Sequence, residues 1–184
     1  MQRPGVCYNS TMTDKDFTKN FLSYVKKGDT ILDVGAGMGI YSQMFVDKGA
    51  LVTAVDIKVP EDLGGSIVCK KMSVEEYVAR EQGVRFDMVF MRNILQFLDK
   101  QWTFETLFPW LEEHLNKNGM IGIETFYREP EPAFPIRSVY TTHELVEQFV
   151  TWQDLYLEQY EYTAPDMRGI SRRFFISDVI VRRG

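Results

Sequence analysis

The chain has 184 residues, of which 45% are apolar, 14% aromatic and 26% charged, with a formal net charge of −5. That length suits one core rather than two, and the composition excludes disordered and fibrous classes. A sequence pI near 5.1 argues against a broad electrostatic grip on nucleic acid.

No apolar run approaches the roughly 20 residues that cross a bilayer, and no basic-then-apolar segment opens the chain. A cytoplasmic protein without membrane contact is expected. Cys7 and Cys69 form no CxxC pair, and His114 and His143 lie in separate segments without metal-ligand spacing. No metal site is expected.

A first helix is expected from near Thr13, whose hydroxyl can cap it with Asp16 three residues on. Phe17, Phe21, Leu22 and Val25 recur at helical spacing, and Gly28 ends the run. The β-prone stretch Thr30 to Val34 leads into Gly35-Ala36-Gly37-Met38-Gly39, and a second helix runs from Ile40 to Lys48. Further strands are expected at Leu51 to Asp56, Ile67 to Cys69, Phe86 to Met91 and Met120 to Glu124. Ser73 and Glu76 form a capping box for a helix through Tyr77 and Val78. Another helix is expected from Trp102 to Leu115, kinked or split by Pro109, which lacks a backbone donor and crowds the preceding turn. Pro130, Pro132 and Pro135 stiffen a loop. Thr141 and Glu144 then open a helix ending near Val150, and two β-prone runs, about Asp154 to Tyr162 and Phe174 to Val181, follow. Strands that alternate with helices and are apolar on both faces indicate an α/β fold whose parallel sheet is covered on both sides. The closing strand pair needs an antiparallel partner.

The chemistry concentrates at the glycine loop. Glycines directly after a strand allow a sharp turn and close approach of a ligand. They also fall at the carboxyl end of a parallel sheet, where ligands bind. Asp56, about 20 residues on, stands where a carboxylate meets ribose hydroxyls. A dinucleotide loop would need glycine where Ile40 stands, and no Lys-Ser/Thr pair completes a triphosphate loop. Asp33 would repel a pyrophosphate but attract a cationic amino-acid end. S-adenosylmethionine (SAM) carries such an end, a sulfonium, and a ribose for Asp56.

The run Asp33 to Gly39, followed by Asp56, resembles the class I SAM-dependent methyltransferases. The resemblance continues through Phe86 to Asn93 and Leu115 to Met120, and covers the chain from about Thr30 onward. It implies a Rossmann-like open sheet of seven strands, mostly parallel with the last antiparallel, and helices on both faces. A single domain is expected: an N-terminal segment and helix (1–28), a cofactor-binding core (29–126) and a substrate side (127–184). The Thr142 to Arg183 tail is similar to that of the tellurite-resistance methyltransferases. By position, Gly35, Ala36, Gly37 and Gly39 would line the methionine part of SAM, with Asp33 near its amino group. Asp56 would hold the ribose and Ile57 pack beside the adenine. Met72 and Ser73 stand where many members carry an acid, so adenine recognition falls to backbone groups and the Ser73 hydroxyl. Met91 and Arg92 match the segment at the methyl-bearing end.

These readings favour methyl transfer to a small-molecule acceptor. Tyr8, Glu124, Tyr127 and Arg137 are the candidate substrate contacts, and no catalytic base is nominated. The alternatives are a non-catalytic SAM-binding module acting through a partner, a nicotinamide-dependent oxidoreductase and an RNA methyltransferase. The last is supported only by the arginines from Arg168 onward, which otherwise read as a solvated hairpin. His114 reads as a helix-end residue favoured by the dipole, His143 as exposed in a first turn, and Trp102, Trp110 and Trp152 as packing.

Overall fold

The β-prone runs pair into one sheet in the computed structural model, which describes residues 15–133, 135–166 and 169–184. Its strands are β1 (Thr30–Val34), β2 (Leu51–Val55), β3 (Ile67–Lys70), β4 (Phe86–Arg92), β5 (Leu115–Glu131), β6 (Gln153–Pro165) and β7 (Ser171–Arg182). The order across the sheet is β3-β2-β1-β4-β5-β7-β6. The first five strands are mutually parallel, and β7 runs antiparallel to both of its neighbours. The expected seven-stranded sheet is therefore present, with its odd strand in the penultimate position.

Two helices cover one face, α1 (Lys15–Tyr24) and α2 (Ile40–Asp47). Phe17 and Phe21 from α1 and Phe45 from α2 converge on Phe90 of β4, with Phe21 and Phe45 centroids 4.9 and 5.1 Å from the Phe90 ring. Burial of four phenylalanines in one contact contributes several kcal/mol by area alone. Gly122 on β5 makes room for this cluster, since a Cβ there would lie 2.4 Å from Phe21 Cδ2. Gly122→Ala is therefore expected to destabilise the fold by about 1–3 kcal/mol, read as a lowered urea midpoint. A midpoint within error of the parent would mean that the Phe21 ring is not held there.

The opposite face carries α3 (Val74–Arg80), a 3₁₀ turn (Leu95–Phe97), α4 (Lys100–Trp102), α5 (Phe108–His114) and α6 (Thr142–Glu147). The capping boxes read at Ser73/Glu76 and Thr141/Glu144 both form. The helix expected from Trp102 to Leu115 is interrupted, as expected from Pro109, with the irregular turn lying just before the proline. A π-helical turn at Thr103–Leu107 separates α4 from α5, which places Pro109 in the first turn of α5, where a missing N–H costs nothing. His114 ends α5 but is buried, stacked on Trp110 at 4.0 Å with Nδ1 2.8 Å from the Trp110 carbonyl oxygen.

The tail also differs from a solvated hairpin. Arg172 is 6% exposed, ion-paired to Asp166 at 2.7 Å, and donates to the carbonyls of Pro132 and Ala133. Arg183 donates to the Glu112 and Leu115 carbonyls, and the Arg182 guanidinium lies over the Tyr24 ring. These arginines tie strands and helix ends together. Arg168 lies outside the described residues, as do Thr13 and Cys7.

Candidate active site

The site is built where β1 ends. Gly35 and Ala36 donate their N–H groups to the Val55 carbonyl at 2.8 and 3.1 Å, which holds the glycine loop against the end of β2. Gly35 has φ +76°, and a Cβ on it would lie 2.6 Å from the Ile94 side chain. Gly39, the N-cap of α2, has φ +80° and the same conflict with Leu63 at 2.2 Å. Both positions therefore demand glycine on conformational and steric grounds. Gly37 is different: nothing lies within 4 Å of where its Cβ would be, so the backbone there is open to an approaching ligand.

The loop meets Asp56 directly. The Gly37 N–H donates to Asp56 Oδ2 at 3.0 Å, and the Lys58 N–H to Oδ1 at 2.7 Å. Each carboxylate oxygen keeps a further lone pair for a ligand hydroxyl. Gly35, Asp56, Ile57, Met72, Ser73 and Ile94 line a cleft of about 190 Å³ between the ends of β1, β2 and β3 and the start of α3. Ile57 is 63% exposed and forms an apolar wall. Ser73 lines the cleft while its hydroxyl caps α3.

Asp33 lies beneath the loop rather than in the cleft. Its carboxyl is 2% exposed and accepts the Ser42 hydroxyl at 2.6 Å. Burial pushes this carboxyl up to about 7; the Ser42 hydrogen bond opposes that rise, and the charge of Asp56 adds to it. Ala36 packs with Ala54 and Val59, and Met91 points into the core beneath α3 and α5, so its side chain does not face the cleft.

Arg92 and Glu124 occupy paired positions at the ends of β4 and β5. Arg92 Nε donates to Glu124 Oε1 at 2.8 Å, and its guanidinium carbon sits 4.7 Å from the Tyr41 ring centroid. The Asn93 amide also donates to Glu124 Oε1, at 3.1 Å, and Asn93 adopts φ +55°. Glu124 has no exposed surface. It is a buried anchor for two rim residues, not the open substrate contact that its place at a strand end suggested. Tyr127 faces away, its ring 5.7 Å from Phe175, and Arg137 is exposed with its N–H on the Gln96 carbonyl. Neither lines the cleft. Tyr8 lies outside the described residues.

Several site residues escaped the sequence reading. Ile94, which fills the space left by Gly35, carries no motif of its own. Nor was the row of charges visible that register creates across four strands: Arg92 pairs with Glu124, Glu124 with Asp178, and Asp178 with Glu158. All three acids are at most 4% exposed. Buried acids in a sheet interior are rare enough that their spacing after apolar runs was the available signal.

No protein-family model matches the chain. In sequence, 73 residues are 33% identical to the ribosomal RNA large subunit methyltransferase E of Thermoplasma acidophilum, covering 35% of this chain and 36% of that protein. In structure, TehB from Haemophilus influenzae superposes with a TM-score of 0.74 at 16% identity, over 95% of this chain and 64% of that one. The 1,6-didemethyltoxoflavin-N1-methyltransferase of Burkholderia thailandensis, solved with S-adenosylhomocysteine bound, gives 0.65 at 18% identity, over 92% and 79%. The fold is that of the class I SAM-dependent methyltransferases. In a class I methyltransferase fold, the carboxyl ends of β1, β2 and β4 are the ligand edge of the sheet. Here that edge carries the glycine loop, Asp56, Ser73 and Arg92. Among the described residues, no helix is long and apolar enough to cross a membrane, and no group of three His, Cys, Asp or Glu could hold a metal ion.

Proposed function

We propose that the protein transfers a methyl group from SAM to a small-molecule acceptor. One observation carries this reading: the open backbone at Gly37 and the carboxylate of Asp56 are joined by a 3.0 Å hydrogen bond at the mouth of a cleft with an apolar wall. The residues present fit the cofactor. Asp56 would hold the ribose hydroxyls, Ile57 and Ile94 would flank the adenine, and Ser73 with its neighbouring backbone would meet the adenine edge. The loop at Gly37 would take the amino-acid end, with Asp33 supplying negative charge from beneath.

Bound SAM supplies an already activated methyl on a sulfonium, which leaves as a neutral thioether when an acceptor lone pair takes the methyl. The chain's own contribution is then orientation and exclusion of water, worth up to roughly 7–11 kcal/mol of the barrier. Arg92, fixed by Glu124 and Tyr41, and Asn93 stand at the strand end nearest the loop and would border the acceptor. No base is required for an acceptor that arrives deprotonated.

Asp56→Ala removes both ribose contacts, so the affinity for S-adenosylhomocysteine measured by calorimetry is expected to fall about a hundredfold. Equal affinity in variant and parent would sink the assignment, as would tight NADH binding by the parent. The partial match to an RNA methyltransferase favours RNA as a second acceptor class. Against it stand the acidic net charge and the internal bonding of Arg172, Arg182 and Arg183. Steeply salt-dependent RNA binding would revive it.

A further inference from the structure

A second cavity lies at the opposite end of the sheet from the glycine loop, where β1, β4 and β5 begin. It measures about 430 Å³, within the range that holds small-molecule ligands. Tyr24 and Lys26 beside the end of α1, Lys117 in the first part of β5 and Arg182 of β7 line it, together with Asp29 and Asp87.

Arg182 decides what this cavity selects. Arg92, Arg172, Arg182 and Arg183 are the partly or fully buried arginines among the described residues. Arg92 pairs with Glu124, Arg172 with Asp166, and Arg183 donates to the Glu112 and Leu115 carbonyls. Arg182 meets no protein oxygen among the described residues. Its Nη2 lies 3.3 Å from Met120 Sδ, a weak acceptor, and its guanidinium carbon 5.6 Å from the Tyr24 ring centroid. These contacts hold the guanidinium on a strand paired along both sides, and leave its other N–H donors unused. The two carboxylates in the cavity are bonded elsewhere. Asp87 accepts from the Thr30 N–H and hydroxyl and from the Asn116 amide, and Asp29 accepts from the Lys26 N–H. Lys26 and Lys117 are exposed, and neither makes an ion pair among the described residues.

We propose that this cavity binds a phosphoryl group through the Arg182 guanidinium, with Lys26 and Lys117 supplying further positive charge. A guanidinium can meet a phosphate with two parallel N–H···O bonds, and each lysine adds a point charge. The aspartates repel any anion, so a singly charged one gains little, whereas a multiply charged group is attracted to all three cations. A nucleotide and a free inorganic phosphate share this chemistry. The site stands apart from the methyltransferase reading, since no residue lines both this cavity and the cofactor cleft.

Pyrophosphate, phosphate, AMP and acetate are the probes, titrated into the full chain at an ionic strength held constant with sodium chloride. The amide shifts of Lys117, Gly119 and Arg182 report binding at this end of the sheet. Pyrophosphate is expected to saturate in the millimolar range, about tenfold more tightly than acetate. Arg182→Met keeps an unbranched stem against Tyr24 and Met120 and is expected to weaken pyrophosphate at least tenfold. Lys26→Gln/Lys117→Gln is expected to weaken it about fivefold with the melting temperature unchanged, because both side chains are exposed. The lysine pair carries the test should Arg182→Met fail to fold. S-adenosylhomocysteine affinity is expected to be that of the parent in both variants. Pyrophosphate affinity that survives these substitutions overturns the proposal, as does acetate binding as tightly as pyrophosphate. Competition between pyrophosphate and S-adenosylhomocysteine would put the anion in the cofactor cleft and overturn it too. AMP binding more tightly than phosphate upholds the site with a nucleotide as the source, and equal binding upholds it with the free anion. AMP binding without phosphate or pyrophosphate would make the nucleoside the recognised part and overturn it.

Discussion

Glu124→Ala is expected to cost about 3–5 kcal/mol of stability in urea denaturation, because it strips a buried carboxylate from Arg92 and Asn93. A competing effect exists. Asp178 stands opposite Glu124 in register, with Glu158 beyond it, so deleting one acid also relieves like-charge crowding. Loss of the partner 2.8 Å from a buried guanidinium outweighs that relief, since an uncompensated charge is the costlier of the two. Glu124→Gln should cost less, as it keeps an acceptor for Arg92 Nε. The double variant Arg92→Met/Glu124→Leu should recover most of the loss, because apolar groups of similar volume replace a buried pair nearly neutrally. A change below 1 kcal/mol for Glu124→Ala would show that the carboxylate contributes nothing to holding the rim.

The second large effect is one of pH. Asp33 keeps its proton in the folded protein up to about pH 7, against an ordinary value of 3.8. Between those values the fold binds a proton that the unfolded chain has released. The stability tied to this carboxyl is therefore fully present below pH 4 and is lost as pH rises through 7. Asp33→Asn should leave stability unchanged at pH 4 and raise it by a few kcal/mol at pH 8. Ser42→Ala removes the hydrogen bond that favours the ionised form and should push the titration higher still. A ligand ammonium over the loop favours the ionised carboxyl. S-adenosylhomocysteine affinity in the parent should accordingly rise about tenfold from pH 6 to pH 8, and stay flat in Asp33→Asn. A flat parent profile would mean that Asp33 does not sense the ligand.

Local chemistry was readable and register was not. Ser73 with Glu76 and Thr141 with Glu144 announce helix starts through contacts within four residues, and both form. Gly35, Gly37 and Gly39 announce the loop for the same reason, and the spacing to Asp56 carries over into a hydrogen bond. The sequence pattern marks β5 only over Met120 to Glu124, because Asn116 to Gly119 look like a turn and Arg128 to Pro130 have little β propensity. It spans Leu115–Glu131 because β7 pairs along it as far as Glu131 opposite Arg173, a long-range constraint that no window of sequence contains. Burial of Arg172 and of Glu124, Asp178 and Glu158 is likewise decided by partners 6 to 54 residues away in the chain.

The interior placement of β7 sets the order in which the molecule can be assembled. This strand follows β6 in the chain yet lies between β5 and β6, making antiparallel ladders with both. During synthesis, the nascent polypeptide exposes β5 with one flank unpaired until residues 171–182 have emerged. The quickest route to completion is for the β6–β7 hairpin to zip up locally and dock as a unit. Until then a long, apolar, unprotected flank is available to neighbouring chains, and aggregation competes with folding. Slow-folding variants of this protein should therefore be lost to precipitation through that flank before they are lost to proteolysis of the finished fold.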